Sequence, residues 1–148
     1  MRIAQLCAGD HEEWLPLWLA YLAFYETQLP QTTLDLTFRR LIGPHETTMG
    51  ALLARDAEGR AIGLTHWMDH RSCWTPGDYC YLQDLFVAPQ ARGKGAATAL
   101  IEATAAAARQ RGCSRLYWIT HETNLTAQSL YDKVAERSGF IQYVRKLP

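Results

Sequence analysis

The feature that most constrains this chain is a β-strand pattern that passes through a basic, glycine-containing loop directly into an alanine-rich helix. The strand pattern covers Tyr79 to Val87, the loop Gln90 to Gly95, and the helix about Ala96 to Arg111. Glycines let the backbone turn sharply and point successive N–H groups outward, and the helix N-terminus adds a partial positive charge. The segment therefore predicts a site for an anionic group such as a pyrophosphate.

Two common nucleotide-binding motifs are excluded for this loop. It lacks the G-x-x-x-x-G-K-[ST] pattern of a P-loop. It does not open a Rossmann unit either, because the strands before it have the pattern of an antiparallel meander. An ordinary strand-to-helix turn, with Arg92 and Lys94 as solubilising charges, remains the alternative at this point.

Hydrophobic periodicity and turn signals predict an α/β fold with a mixed sheet. Two helices and an antiparallel meander come first, and the later half follows the order β-loop-α-β-α-β, which implies a pair of parallel strands. The other predicted elements are helices at about Asp10 to Tyr25, Thr33 to Ile42 and Asn124 to Arg137, and strands at Arg2 to Cys7, Thr48 to Arg55, Ala61 to His70, Arg115 to Thr120 and Phe140 to Lys146.

Composition narrows the class of protein. The chain has 148 residues, 48% of them apolar and 20% charged, which is typical of one globular domain over residues 1–148 and excludes disorder. Its 15 basic and 15 acidic residues balance, which argues against nucleic acid as a partner. The longest apolar stretch, Trp14 to Tyr25, is too short to cross a membrane, and no signal peptide is recognisable. We therefore expect a cytoplasmic protein with no membrane partner, and the absence of a C-x-x-C pair predicts no metal site.

Two motifs in the later half resemble those of the GCN5-related N-acetyltransferase (GNAT) superfamily. The acetyl-CoA motif of that family, R/Q-x-x-G-x-G/A, is matched by Arg92, Gly95 and Ala97. A second signature is matched by Asn124, Ala127, Leu130, Tyr131, Gly139 and Phe140. The order of elements agrees over essentially the whole chain. Within the superfamily, the segments YLQDLFV (81–87) and YWITHETNLTAQSLY (117–131) look most like the diamine or polyamine acetyltransferases and the fungal histone/polyamine acetyltransferases.

The resemblance implies acetyl-CoA as the cosubstrate and no metal. In such enzymes the strand before the loop pairs with the pantetheine arm through backbone groups, which here belong to Leu85, Phe86 and Val87. The pyrophosphate is then expected beside Arg92, on the backbone N–H groups of Gly93, Lys94, Gly95, Ala96, Ala97 and Thr98. From the second signature, Asn124 is placed with the cofactor-binding residues.

The resemblance also implies an N-acetyltransferase in which a primary amine attacks the thioester directly. Tyr131 matches the general acid that protonates the leaving thiolate, and Gln83 stands where diamine acetyltransferases carry a glutamate base. A neutral amide cannot accept the proton. Strict alternation would point Asp84 to the opposite face from Gln83, unless a bulge changes the parity. The base is left open, with a water chain as one alternative and further candidates at His66, His70, His121 and Glu122.

The acceptor, a small-molecule amine, is expected between the first helices and the second hairpin. Tyr25 and Glu26 resemble a Tyr-Glu segment that diamine acetyltransferases place near the polyamine, and Trp74 and Asp84 complete the expected substrate-binding set. Aromatic rings and carboxylates suit an alkylammonium ion, although an aromatic residue at helical spacing also fits a core position. Two other functions stay open. They are a non-catalytic acyl-CoA-binding or regulatory domain, and an acetyltransferase that modifies a protein amine.

The end of the chain departs from the family. Lys133 to Ser138 lengthens the gap between Tyr131 and Gly139, and the residues after Phe140 leave room for one strand only. A lone terminal strand leaves an edge to cover. We therefore expect a homodimer with the C-terminal strands at its interface.

Overall fold

The computed structural model describes residues 1–44 and 46–148. Strands and helices follow one another in the order β1 (Arg2–Gln5), α1 (His11–Phe24), α2 (Gln31–Ile42), β2 (Met49–Arg55), β3 (Ala61–His70), β4 (Tyr79–Val87), α3 (Ala96–Gln110), β5 (Arg115–Tyr117) and α4 (Leu125–Val134). Among the described residues, no helix combines the length and the apolar character that a membrane crossing requires.

The strands form one sheet in the order β1-β2-β3-β4-β5. Neighbours from β1 to β4 pair antiparallel, whereas β4 and β5 pair in parallel. Helix α3 connects the two parallel strands, because a parallel pair needs a crossover rather than a hairpin. The predicted α/β fold with a mixed sheet is confirmed, and β3 and β4 have the predicted bounds.

Different helices cover the two faces of the sheet. Helices α1 and α2 pack on one face, where Trp14 and Leu64 are completely buried. Helix α3 covers the other face, where Leu100 packs against the sheet. On that face the hydroxyls of Thr104 and Thr65 lie 3.2 Å apart, within hydrogen-bonding distance. Even-numbered side chains at the centre of β3 therefore face α1, and odd-numbered ones face α3.

A β-bulge interrupts β4 at its centre. The register passes from Trp67 opposite Leu82 to His66 opposite Asp84, so Gln83 is an extra residue in β4. The pairing of residues on either side of this point is regular and antiparallel. The extra residue reverses the faces of all β4 side chains that follow it.

The reversal is visible in the packing of two even-numbered β4 residues. Cys80, before the bulge, packs with Ala108 of α3, whereas Phe86, after the bulge, packs in the core beneath α1 and α2. Asp84 therefore faces α1, as His66 does. Gln83 and Asp84 can consequently both contribute to one site on this side of the sheet.

The predicted last strand, Phe140 to Lys146, is not formed. Residues 135–148 belong to no helix or strand, and α4 ends at Val134 rather than near Arg137. The large apolar side chains of this segment are 76% to 87% exposed, namely Phe140, Ile141, Tyr143, Val144 and Leu147. In the described part of the chain, β5 pairs with β4 alone, so its other edge has no strand beside it. A terminal strand without a backbone partner is not stable, which explains the difference from the sequence prediction.

Candidate active site

The loop between β4 and α3 presents a row of backbone donors. Gly93 and Gly95 have φ values of +73° and +80°, in the left-handed region that favours glycine, and Gly95 is the N-cap of α3. The first helical hydrogen bond runs from the N–H of Ala99 to the carbonyl of Gly95. Within the described chain, the backbone N–H groups of residues 93–98 have no backbone acceptor. Together with the helix dipole, these groups can hold an anion.

Strand β4 leaves its parallel neighbour before it reaches this loop. Among residues 1–44 and 46–148 it pairs with β5 only from Tyr79 to Tyr81, so on that side the edge from Leu82 to Val87 has no strand beside it. The guanidinium of Arg92 lies at the end of this edge, where its Nε donates to the carbonyl of Val87 at 3.0 Å. The open edge includes all three residues predicted to bind pantetheine. A ligand amide that donated to Val87 would share or replace the bond from Arg92.

A buried chain of hydrogen bonds lies on the α1 side of the sheet. The indole Nε1–H of Trp14 donates to Nε2 of His66 at 2.9 Å, and Nδ1 of His66 lies 2.9 Å from Oδ2 of Asp84. These residues are 0%, 2% and 6% exposed. Because an indole can only donate, His66 accepts at Nε2 and carries its proton on Nδ1, which donates to Asp84. His66 is therefore a neutral imidazole whose lone pair is already used, so it is not available as a base.

A cavity of about 200 Å³, here called the acceptor cavity, lies between this hydrogen-bonded chain and α2. Asp84 and Gln83 contribute to it from β4, and Arg40 contributes from the last turn of α2. Its other walls are Trp18, Leu29, Thr37, Leu41, Met49, His66 and Met68. The cavity thus combines an apolar lining with a carboxylate, an amide and a guanidinium, which is typical of small-ligand sites.

Three tyrosines, Tyr21, Tyr25 and Tyr131, influence one another electrostatically or by ring contact near Asp84 and α4. Burial, and then the Asp84 carboxylate, raise the pKa of Tyr21. The ring of Tyr21 lies 5.0 Å from that of Tyr25. Burial, and then Tyr25, raise the pKa of Tyr131. A phenol with a raised pKa stays protonated at neutral pH. Tyr131 can therefore donate a proton, as its predicted role requires.

Other predicted site residues lie apart from the acceptor cavity. Glu26 lines a larger cavity of about 790 Å³ at the end of α1. Trp74 is 83% exposed in the connection between β3 and β4 and lines neither cavity. Asn124 is the N-cap of α4, with its Oδ1 accepting from the N–H of Ala127 at 3.3 Å. The structure therefore brings Gln83 and Asp84 together and leaves Glu26 and Trp74 separate from them.

Two histidines that the sequence offered as bases have partners elsewhere. Nδ1 of His70 donates to the carbonyl of Arg71 at 2.9 Å, and its Nε2 lies 2.8 Å from the hydroxyl of Tyr117. Nδ1 of His121 lies 2.8 Å from the hydroxyl of Thr123. Neither histidine lines the acceptor cavity.

Sequence reasoning did not find Trp14 and Arg40. Trp14 has the pattern of a core residue on an amphipathic helix, and no local signal shows that it donates to a histidine 52 positions away. Arg40 follows Arg39 on an exposed helical turn. Only the packing of α2 against the sheet shows which of the two arginines lines the cavity.

The sequence profile of the acetyltransferase (GNAT) family matches residues 12–135. The chain belongs to the GNAT family. A D-amino-acid N-acetyltransferase of Saccharomyces cerevisiae is 37% identical over 136 residues, which cover 92% of this chain and 84% of that protein. A thialysine N-epsilon-acetyltransferase of Caenorhabditis elegans is 40% identical over 94 residues, which cover 55% of this chain and 58% of that protein. A crystal structure of a ribosomal-protein-alanine N-acetyltransferase from Brucella melitensis biovar Abortus 2308 superposes with a TM-score of 0.80 at 26% identity, covering 99% of this chain and 100% of that chain.

These matches confirm the GNAT resemblance that the two motifs indicated. The chain is an N-acetyltransferase by family, and GNAT enzymes use acetyl-CoA as the acetyl donor. The two relatives above are named for amine acceptors, D-amino acids in one case and thialysine in the other.

Proposed function

We propose that this chain transfers the acetyl group of acetyl-CoA to the primary amine of a small molecule. The observation that carries the proposal is the open edge of β4, which leads directly into the N–H donors of residues 93–98. A pantetheine arm can add to such an edge as a further strand, while the pyrophosphate lies at the helix N-terminus. Arg92 and Lys94 add positive charge beside the phosphates.

The proposed reaction is direct attack within a ternary complex. An ammonium acceptor first loses one proton, and the amine nitrogen then attacks the thioester carbonyl carbon, so that a C–N bond forms and the C–S bond breaks. Tyr131 gives its phenolic proton to the leaving thiolate, and the second proton lost by the nitrogen restores the phenol. One proton thus ends on free CoA and one in solvent. A positioned acid of this kind contributes about 10²–10⁴-fold to the rate.

The acceptor amine is assigned to the acceptor cavity. Asp84 is its buried carboxylate, and carboxylates form charge-assisted hydrogen bonds with ammonium groups. Gln83 lies beside it and can orient the amine or a water molecule through its amide, but it cannot take the proton. The Tyr25 ring lies 5.0 Å from that of Tyr21, whose pKa is raised by burial and then by the Asp84 carboxylate. The relatives named for amino-acid acceptors support a small amino compound over a protein amine.

The experiment that tests this function is incubation with acetyl-CoA and a panel of acceptors, with release of free thiol as the readout. The panel contains D- and L-amino acids, polyamines, aminoglycosides and basic peptides. We expect turnover with small amines. Thiol release with peptides alone would favour the protein-modifying alternative. Tight binding of CoA without turnover on any acceptor would favour the non-catalytic domain and would overturn the proposal.

We also propose a homodimer in which the C-terminal segments contact the neighbouring subunit. Helix α4 has no buried residue, and the outer edge of β5 has no strand beside it in the described chain. The segment 139–148 follows these elements and exposes five large apolar side chains. A strand from a second copy on the β5 edge would satisfy backbone groups and bury apolar surface together.

A further inference from the structure

The acceptor cavity carries two opposite charges on separate walls. Arg40 comes from the last turn of α2, and Asp84 comes from β4. The third titratable side chain in the lining is His66, which Trp14 and Asp84 hold as the neutral imidazole. The lining therefore presents one cationic and one anionic group.

We propose that this cavity takes the acceptor as a zwitterionic amino acid, with its carboxylate on Arg40 and its amino group at Asp84. The inference rests on the proposed function, because it assigns the acceptor of that same reaction. It adds the class of substrate and a residue, Arg40, that selects it.

The Asp84 carboxylate is suited to an incoming ammonium group. Asp84 is 6% exposed. Among the described residues, the basic side chain within ion-pair distance of it is His66. Since His66 is neutral, no protein cation compensates the charge. A buried carboxylate without a cation is unfavourable, and an ammonium group that enters the cavity relieves this cost.

The Arg40 guanidinium is suited to an incoming carboxylate. Among the described residues it forms no ion pair within 4.0 Å. The Glu46 carboxylate is already bonded by the N–H and the hydroxyl of Thr48. Those bonds, and then the charge of Arg40, lower the pKa of Glu46. The planar fork of an arginine matches the two oxygens of a carboxylate, so Arg40 can bind one in bidentate form.

Size and charge argue against larger or more cationic acceptors in this cavity. Its volume of about 200 Å³ is below the roughly 300–1,000 Å³ of sites for drug-sized ligands. A single amino acid therefore matches its volume better than an aminoglycoside or a folded peptide segment does. A polyamine would bring a second ammonium group towards Arg40, where like charges repel. A single zwitterionic amino acid can pair its carboxylate with Arg40 and its ammonium group with Asp84.

The test compares acceptors that differ in the group beside the amine-bearing carbon: leucine has a carboxylate, leucinamide an amide, and 3-methylbutylamine neither. Leucine and leucinamide are each tested as the D- and the L-enantiomer. Thiol release from acetyl-CoA is measured at saturating donor. We expect kcat/KM for leucine to exceed that for leucinamide by about 10- to 100-fold, the value of a charge-assisted hydrogen-bonded pair. Leucinamide has more of its amine unprotonated at neutral pH, so amine reactivity alone would give the opposite order. Equal or better use of the uncharged analogues would overturn the inference.

Two neighbouring arginines provide a matched pair of variants. We expect Arg40→Gln to lose the preference for leucine through a higher KM with little change in kcat, and to lose less with leucinamide, whose carbonyl accepts only an ordinary hydrogen bond from Arg40. Arg39→Gln removes the same charge from the same helical turn but lies outside the cavity lining, and it should keep the preference. An unchanged preference in Arg40→Gln, or an equal loss in both variants, would contradict a direct contact.

The failure of the proposed function is distinguishable from the failure of this inference. If no acceptor releases thiol, the catalytic proposal fails, and leucine binding to the CoA-bound protein is measured by calorimetry instead. Binding that weakens in Arg40→Gln and not in Arg39→Gln would still support the zwitterion site. Absence of leucine binding, or binding equally weakened by both variants, would reject it.

Discussion

The indole nitrogen of Trp14 lies 2.9 Å from Nε2 of His66, a residue that lines the acceptor cavity. Because the indole N–H donates, Nε2 must accept and carries no proton in this arrangement. A second proton on His66 would need the nitrogen to which Trp14 donates. The imidazole therefore stays neutral while it donates to Asp84 through Nδ1. Trp14 is a positioning residue, since it acts on Asp84 only through His66.

We predict that Trp14→Phe changes the pH dependence of acetyl transfer. The substitution removes the donor to His66, whose Nε2 can then bind a proton and place a cation beside Asp84. The loss of activity in the variant should grow as the pH falls, because the Nε2 atom freed from Trp14 can then accept a proton from solvent. The measurement is kcat/KM for the amine acceptor against pH, with circular dichroism as a check on folding.

A matched control lies one helical turn further along α1. The indole nitrogen of Trp18 is buried without a hydrogen-bond partner among the described residues, so Trp18→Phe makes the same change in ring size and breaks no hydrogen bond. This variant should keep the wild-type shape of the pH profile. An equal distortion of the profile by both variants would show that packing, rather than the bond to His66, accounts for the effect.

We predict that Tyr131→Phe lowers kcat by about 10²–10⁴-fold if the phenol is the general acid. Binding of CoA should be unaffected, because the hydroxyl acts on the leaving thiolate. Burial, and then Tyr25, raise the pKa of this phenol. In the wild-type enzyme it should therefore cause no alkaline decline in rate up to about pH 10, the ordinary value for tyrosine. Steady-state rates over this pH range provide the measurement.

Tyr117→Phe is the control for that substitution. Burial also raises the pKa of Tyr117, and its hydroxyl pairs with His70 outside the acceptor cavity. We expect a much smaller change in kcat for this variant. A wild-type rate in Tyr131→Phe would remove the general-acid assignment.

Gly95→Ala should lower both the free energy of unfolding and the affinity for CoA. Gly95 has φ +80°, and a Cβ there meets no atom within 4 Å, so the cost is that of the left-handed backbone, about 1–2 kcal/mol. Gly59→Ala is the matched control, since Gly59 has φ +83° and equally open surroundings in the turn between β2 and β3. Urea unfolding should show similar losses of stability for the two variants. Calorimetry should show weaker CoA binding only for Gly95→Ala, and similar CoA affinities would contradict the loop as the phosphate site.

If the proposed homodimer forms through the C-terminal segments, removal of residues 139–148 should leave a monomer. A sharper test is Ile141→Asp, which places a charge on the apolar surface that the second subunit would bury, with Gln142→Asp as the control of equal charge. Sedimentation at micromolar concentration should show dissociation for Ile141→Asp and not for the control. A monomeric wild-type protein under these conditions would reject the proposed homodimer.

The ion pair of Asp69 with Arg111, at 2.6 Å, should make the protein sensitive to acid. Burial raises the pKa of Asp69, but bonds from Arg111 and from nearby thiols lower it more, so the net result is below the ordinary value of 3.8. A carboxylate with a lowered pKa contributes stability above its unfolded pKa and loses it as the pH falls. Asp69→Asn should therefore be less stable than the wild type at neutral pH and nearly equal to it at about pH 2.

Asp132→Asn is the comparison for this pair. Asp132 pairs with Arg137 in an exposed position, where solvent screens the charges, so its removal should change stability little at either pH. Urea unfolding of both variants and the wild type at the two pH values gives the measurement. A loss for Asp69→Asn that persists at low pH would point to packing instead of the ion pair.

Local patterns predicted the regular part of the fold well. The alternating runs between clear turns gave the bounds of β3 and β4, and the glycine-containing loop before an alanine-rich segment gave the start of α3. These features depend on neighbours within a few residues, which is the range that periodicity and turn chemistry report. The family and the N–H donors of the loop follow from the same local motifs.

The sequence by itself therefore determined the order of elements from β1 to α4, the glycine-containing loop before α3 and the presence of a phenol at position 131. Only the tertiary structure decided which charged groups share a cavity. The bulge at Gln83 turns Asp84 towards α1, where Trp14 and His66 orient it, and α2 brings Arg40 to the same cavity. It also left the C-terminal segment without a strand partner, because backbone pairing needs a neighbour that sequence pattern does not specify.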